Sequence, residues 1–208
     1  MGDSKTSVTR SRGRPARSAE DVRDARRRIS ACALQLFQED GYDAVSMRRL
    51  AKEAGCTVMT LYRYFDRKID ILRDLWSQVF AEVFGQLEPL AEGEPDAHKR
   101  LFLVAHCYVD FWLRNREHYF LVFMSAGVSQ PDVSVFVDDD GVVERFVLFR
   151  RCVEDVLPGA GDSSKADLQT ELLLCTLHGI AHNLITISAY PWSDSHKLVG
   201  AAVERVTD

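Results

Sequence analysis

The sequence predicts an all-α fold, and three observations carry the prediction. Apolar residues recur at i, i+3, i+4 and i+7 in stretch after stretch, which places them on one face of a helix. Gly, Pro and small polar clusters punctuate those stretches at helix-like lengths. Only Val133 to Val137 alternates as a strand would, and that run is too short to build a sheet. The chain has 208 residues, 46% hydrophobic and 27% charged, the composition of a soluble globular protein. A chain of this size buries roughly 70% of its unfolded surface, so its stability requires neither disulfide nor metal.

Residues 1–20 have almost no large apolar side chains and read as a disordered basic arm. Within it, Arg12-Gly13-Arg14-Pro15 resembles the core of an AT-hook, in which a narrow glycine backbone lets two guanidinium groups enter an A·T minor groove. Arg12 and Arg14 are therefore candidate DNA contacts; the alternative is a solvated tail that binds phosphates without preference. The first helix should run from Ala19 or Val22 to Glu39, with Ile29, Ala33, Leu36 and Phe37 inward. Arg23, Arg26, Arg27 and Arg28 crowd its early turns against the macrodipole, a cost that phosphates would relieve. Gly41 ends it, and Tyr42 and Val45 can pack back on the core.

Ser46 can cap a helix carrying Met47, Leu50, Ala51 and Ala54 on one face. Gly55 permits a sharp turn, and Thr57 can cap a second short helix through Val58, Met59, Thr60, Leu61, Tyr62, Arg63, Tyr64 and Phe65. Two short helices about a glycine turn form a helix-turn-helix, whose second helix suits the DNA major groove. The stretch RRLAKEAGCTVMTLYRYFDRKIDIL, with AG followed by T-LYRYF, a Lys and an apolar pair, resembles the DNA-binding signature of the tetracycline-repressor-like (TetR) family. That resemblance spans roughly residues 22–75. Beyond it, the likeness is one of helical architecture and a weaker HG-containing segment near Gly179.

The resemblance implies a basic arm (1–20), a three-helix helix-turn-helix DNA-binding domain (21–68) and a larger helical ligand-binding and dimerisation domain (69–208). By their match to the family motif, Arg48, Val58, Met59, Thr60 and Tyr62 face the groove, and Arg63, Tyr64 and Lys68 hold phosphates. Ser46 and Thr57 complete the DNA-binding set at the two helix starts. Met59 departs from the smaller residues common there. Val58 and Met59 lack strong hydrogen-bonding groups, so they should favour thymine methyls, while Arg48 can pair with guanine.

In the remainder, Asp66 can cap a helix whose apolar stripe runs from Ile69 through Trp76 and Phe84 to Leu87, with Pro89 and EGEPDA ending it. Next come a helix from Leu101 to Leu113 and a shorter one over Glu117 to Ser125, then a loop-like acidic segment over Ala126 to Gly141. Three more follow: about Val142 to Val156, about Lys165 to Ser188, and a last one opened by Ser193 or Asp194. By resemblance, the last two helices pair across a two-fold axis to form a homodimer. Phe102, His106, Tyr108, Trp112, Phe120, Phe123 and Met124, with His178 and His182, are candidates to line a mostly apolar effector cavity, with ordinary core packing as the alternative for each.

Charge is divided along the chain. Residues 1–68 hold 15 Lys/Arg against 9 Asp/Glu and the remainder 11 against 22, a basic head on an acidic body. That division suits a polyanion-binding module attached to something that does not touch the polyanion. Five cysteines without a C-x-x-C pair read as reduced thiols, with Cys56, in the helix-turn-helix turn, the alternative redox point. A polar N-terminus without an apolar h-region points to a cytoplasmic protein. Leu172 to Tyr190 is long enough to span a bilayer but reads better as a buried bundle helix, so no membrane is expected. His178 and His182 could bind zinc, yet H-G-I-A-H lacks the Glu of H-E-x-x-H. The expectation is a DNA-binding transcription regulator, a repressor released by a small apolar effector, with no catalytic residue, cofactor or metal. The alternatives are a non-sensing architectural DNA protein, or a metal sensor or enzyme built on His178 and His182.

Overall fold

The computed structural model describes residues 19–139, 141–157 and 163–207, and among the described residues regular structure is entirely helical. The all-α expectation holds. The head begins with α1 (Ala19–Asp40), α2 (Met47–Glu53) and α3 (Val58–Tyr62). Local chemistry sets its turns as expected: Ser46 Oγ accepts from Arg49 N–H at 3.2 Å, and Thr57 Oγ1 from Thr60 N–H at 3.1 Å. Gly41 and Gly55 take positive φ of 84° and 65°, which glycine adopts without side-chain strain. Ile29, Ala33, Leu36, Phe37, Val45, Leu50, Ala51, Leu61 and Phe65 bury together between these helices.

One boundary in the head differs from expectation. The second helix of the pair stops at Tyr62 instead of running to Phe65, so Arg63 caps it and Tyr64 lies in the following turn. Phe65 is buried beside Leu61 in the head core, and its N–H still donates to the Leu61 carbonyl oxygen at 3.1 Å.

The long α4 (Lys68–Gly93) joins head to body. Its cap is Arg67, not Asp66: the backbone N–H of Arg67 donates to the Asp70 carboxylate at 2.8 Å. Pro89 does not end this helix. It sits inside the last turns, because the fully buried Leu87 and the packed Ala91 hold both sides of it against the body. That tertiary packing offsets the lost N–H and the ring's crowding.

The body consists of α5 (Ala97–Arg114), α6 (Arg116–Phe123), α7 (Gln130–Asp139), α8 (Val142–Glu154), α9 (Ser163–Thr186) and α10 (Ser195–Thr207). α5 is the central helix, packed on α4, α8, α9 and α10. Its buried face holds Leu101, Val104, Ala105, Tyr108, Val109, Phe111 and Trp112. The segment expected as an acidic loop contains α7. Just before it, the Ser129 hydroxyl donates to the Asp132 carboxylate at 2.6 Å, and Pro131 falls in the first turn where a missing N–H costs nothing. Tertiary contacts complete it: Phe136 is buried 5.1 Å from the Trp76 ring, and Arg73 donates to the Asp132 carbonyl oxygen at 2.9 and 3.2 Å. No helix among the described residues is long and apolar enough to cross a membrane, and α9 buries Leu173, Leu177, Ala181 and Ile185 in the bundle.

Candidate nucleic-acid interface and effector region

The five-residue α3 has two opposed faces. Leu61 is completely buried, whereas Met59 is 79% and Tyr62 47% exposed. Arg48 on α2 and Arg63 at the end of α3 are also exposed. Ser46 and Thr57 are exposed, but their hydroxyls serve the helix starts, and the Thr60 hydroxyl lies 2.9 Å from that of Thr57. The structure thus brings Arg48, Met59, Tyr62 and Arg63 to solvent around one short helix.

Three expected contacts sit deeper. Val58 and Tyr64 are half-buried against the core. Lys68 Nζ donates to the Tyr42 carbonyl oxygen at 2.7 Å and lies 4.0 Å above the Tyr42 ring. Burial lowers its pKa, and desolvation first of all pushes the Tyr42 phenol up to about 12. Lys68 therefore ties α4 to the α1–α2 loop, where the motif placed it on a phosphate. Arg12 and Arg14 lie outside the described residues.

Sequence reasoning assigned Arg26 to phosphate neutralisation, and the structure gives it a positioning role. Its guanidinium donates to the Tyr64 carbonyl oxygen at 2.8 Å and the Asp74 carboxylate at 2.9 Å, and lies 4.2 Å over the Phe65 ring. Ser30 and Gln78 also donate to Asp74, at 2.6 and 2.8 Å. This network holds α1, the turn after α3 and α4 together. The available signal was spacing: Arg26 and Ser30, four apart, flank the inward row of Ala25, Ile29 and Ala33.

Of the nine effector candidates, Tyr108 is core, buried beside Trp112 and Phe149, and the other eight fall into three groups instead of one cavity. Phe102 and His106 stack at 5.8 Å and both meet His196; Phe102 and His196, but not His106, line a groove of ≈ 530 Å3 between α5 and α10. Phe120 and Met124 line a cleft of ≈ 460 Å3 beside the end of α1. Trp112, Phe123, His178 and His182 converge inside the body. The division follows helical rotation: Phe102 and Trp112 lie ten residues apart on α5, and neighbouring positions on α6 point to different sides.

The third group has a centre that the sequence reading left out, Tyr119. Its hydroxyl lies 2.8 Å from His182 Nδ1 and 3.4 Å from His178 Nε2, and its ring meets Phe123 at 5.0 Å and Trp112 at 6.0 Å. Burial raises the Tyr119 phenol, while burial and then His182 lower the His178 imidazole. Trp112 Nε1 is buried with the Tyr108 hydroxyl as its polar neighbour. Tyr119 was foreseeable only through tertiary pairing, because nothing local links residue 119 to residues 178 and 182. Nearby, Trp76 Nε1 donates to the Leu121 carbonyl oxygen at 3.0 Å, joining α4 to α6.

No group of three or more His, Cys, Asp or Glu side chains suited to a metal occurs among the described residues. The cysteines are all free, and burial raises the Cys56 thiol, so it is not an activated thiolate.

A capped short helix with an exposed apolar and basic face, braced by α1 and carried on a helical body, defines the class: a helix-turn-helix protein. Residues 29–75 match the model of bacterial regulatory proteins of the tetR family. An HTH-type transcriptional regulator of Staphylococcus aureus (strain USA300) is 40% identical over 74 residues, covering 33% of this chain. The matched stretch spans 39% of that relative's own length. The fold extends further. A TetR-family transcriptional regulator, PfmR from Thermus thermophilus, superposes with TM-score 0.59 at 19% identity, covering 86% of this chain and 97% of its own. FadR from Bacillus subtilis, solved in complex with stearoyl-CoA, reaches TM-score 0.70 at 16% identity, covering 87% and 97%.

Proposed function

We propose that this chain is a dimeric, ligand-responsive transcription regulator, a repressor released from its operator by a small, mostly apolar effector. The observation that carries the DNA reading is the division of α3: Met59 and Tyr62 stand in solvent beside Arg48 while Leu61, between them, is fully buried. Large apolar side chains held out by a rigid capped helix are suited to base methyls in a major groove, with Arg48 available to guanine. Arg63 and the basic arm with Arg12 and Arg14 supply phosphate and minor-groove contacts. Residues 21–68 form the DNA-binding domain and 69–208 the sensing and dimerising domain. Operator binding places its work in the cytoplasm.

Two features support the rest of the reading. Trp112, with Tyr119, Phe123, His178 and His182, offers a few polar groups in an aromatic setting, the character of a small-molecule site. FadR, a fold neighbour solved with stearoyl-CoA, is consistent with an apolar chain as effector class. Exposed Leu168, Leu172 and Cys175 recur at i, i+4, i+7 along α9, a stripe suited to a second copy, with Ala201 exposed on α10. A dimer would present two α3 helices roughly 34 to 36 Å apart, about one turn of DNA.

Selection of bound fragments from genomic DNA, followed by anisotropy titration, tests the function. A discrete sequence with two half-sites is expected; uniform binding to all fragments would sink the reading. Replacing thymine by uracil at the half-sites should weaken binding, and unchanged affinity would remove the methyl-contact assignment of Val58 and Met59.

A further inference from the structure

The cleft of ≈ 460 Å3 at the junction of head and body has a chemistry of its own. One wall is the end of α1 and the loop to α2; the other is α6 with the turn after it. Phe120 and Met124 leave 46% and 48% of their surface exposed here, opposite Tyr42. The charged side chains lining it are all carboxylates, Asp40, Asp43 and Glu117, and among the described residues no Lys, Arg or His lines it. Asp40 is paired with Arg49 at 2.6 Å. Lys68, the other cation that reaches this loop, gives its ammonium to the carbonyl oxygens of Tyr42 and Asp43. Lys68 attracts the Asp43 carboxylate as well, so Glu117 is the lining carboxylate that has no ion pair among the described residues, and Asp43 adds to its field beside uncovered apolar surface.

We propose that this cleft binds a small organic cation with an apolar body, of the aryl-alkyl amine class. Its ammonium sits between Asp43 and Glu117, and its aromatic body covers Phe120 and Met124. Covering apolar surface supplies affinity, and the carboxylates, Glu117 foremost, select the sign of charge, since an anion of the same shape meets repulsion. The site is separate from the Trp112–Tyr119–His182 centre, which lies inside the body. It also has a regulatory consequence, which rests on the DNA-binding reading above: the loop walling the cleft runs directly into Ser46, the cap of α2, so an occupant braces the helix-turn-helix against α6.

The test titrates 4-phenylbutylamine and 4-phenylbutyrate into the full chain, without DNA, by calorimetry at pH 7.5. The amine should bind with one saturable site and the carboxylate at least about tenfold more weakly, the scale of one charge-assisted contact. Glu117→Gln should weaken the amine by a similar factor and Glu117→Gln with Asp43→Asn further; both positions are on the surface, so the fold is not at risk. Tyr119→Phe should leave amine affinity within twofold. Equal affinity for amine and carboxylate, indifference to Glu117→Gln, or loss of binding in Tyr119→Phe would each overturn the assignment. Because no DNA is present, failure here leaves the DNA reading standing, and failure of DNA binding leaves this site standing.

Discussion

Neighbouring residues of α3 separate stability from recognition. Leu61 is fully buried in the head, so Leu61→Ala should cost about 2–5 kcal/mol of stability, the range for a truncated core leucine. Met59 touches little of its own chain, so Met59→Ala should leave stability within about 0.5 kcal/mol. The same change should lower affinity for the selected DNA about tenfold, as one lost base contact does. Thermal unfolding and anisotropy on both variants check the pair; a large loss of stability in Met59→Ala would contradict it. His178 carries a pH signature. Burial holds its imidazole below the ordinary value of 6.5, so the folded state prefers the neutral ring. The unfolded chain then binds the proton first, and the stability contributed by neutral His178 is present above about pH 6.5 and lost as pH falls below it. Thermal unfolding of the native chain should decline between pH 7 and pH 5, and more shallowly in His178→Gln. His182 and the Tyr119 hydroxyl face the same ring, so the comparison is made with both retained.

At the scale of elements, the head is joined to the body by chemistry as well as by α4. Gly127, after α6, has φ of 80°, and a Cβ there would lie 1.7 Å from Asp43 Oδ1 on the α1–α2 loop. Gly127→Ala should therefore cost about 1–2 kcal/mol through the positive φ, plus whatever the displaced carboxylate loses. Adding Asp43→Ala should recover the second part alone, and full recovery would show that backbone strain contributes nothing. The helix starts were legible in local sequence because a cap needs only its own turn: Ser46 and Thr57 do in the structure what their side chains allow. The start of α4 and the existence of α7 were less legible. Asp70 reaching back to Arg67 displaced the cap from Asp66, and α7 depends on Phe136 packing between Trp76 and Phe80 and on Arg73 from another helix. Pro89 misled for the same reason, since burial of Leu87 outweighs a local breaker.

For the whole molecule, α4 is the element both ends share. Asp74 near its start is bound by Arg26 and Ser30 of α1, and Trp76, half a turn on, reaches the Leu121 carbonyl oxygen of α6. A ligand that shifts α6 against α4 would shift the head, by no more than its differential affinity for the two arrangements. A disulfide engineered between α1 and α4 should abolish effector-driven release of DNA while leaving effector binding intact, measured by anisotropy before and after reduction. Release unchanged in the oxidised protein would refute α4 as the lever. The amino-acid pattern alone was sufficient for the all-α class, the helix-turn-helix with its caps, and the Met59 side of α3, because periodicity and capping are properties of a few adjacent residues. It was not sufficient for the partners of Arg26 and Lys68, the gathering of Tyr119 with His178 and His182, or the dispersal of the aromatic candidates over three places. Those depend on which helix faces meet, a matter of packing between segments that are distant along the chain, and only the folded arrangement settles it.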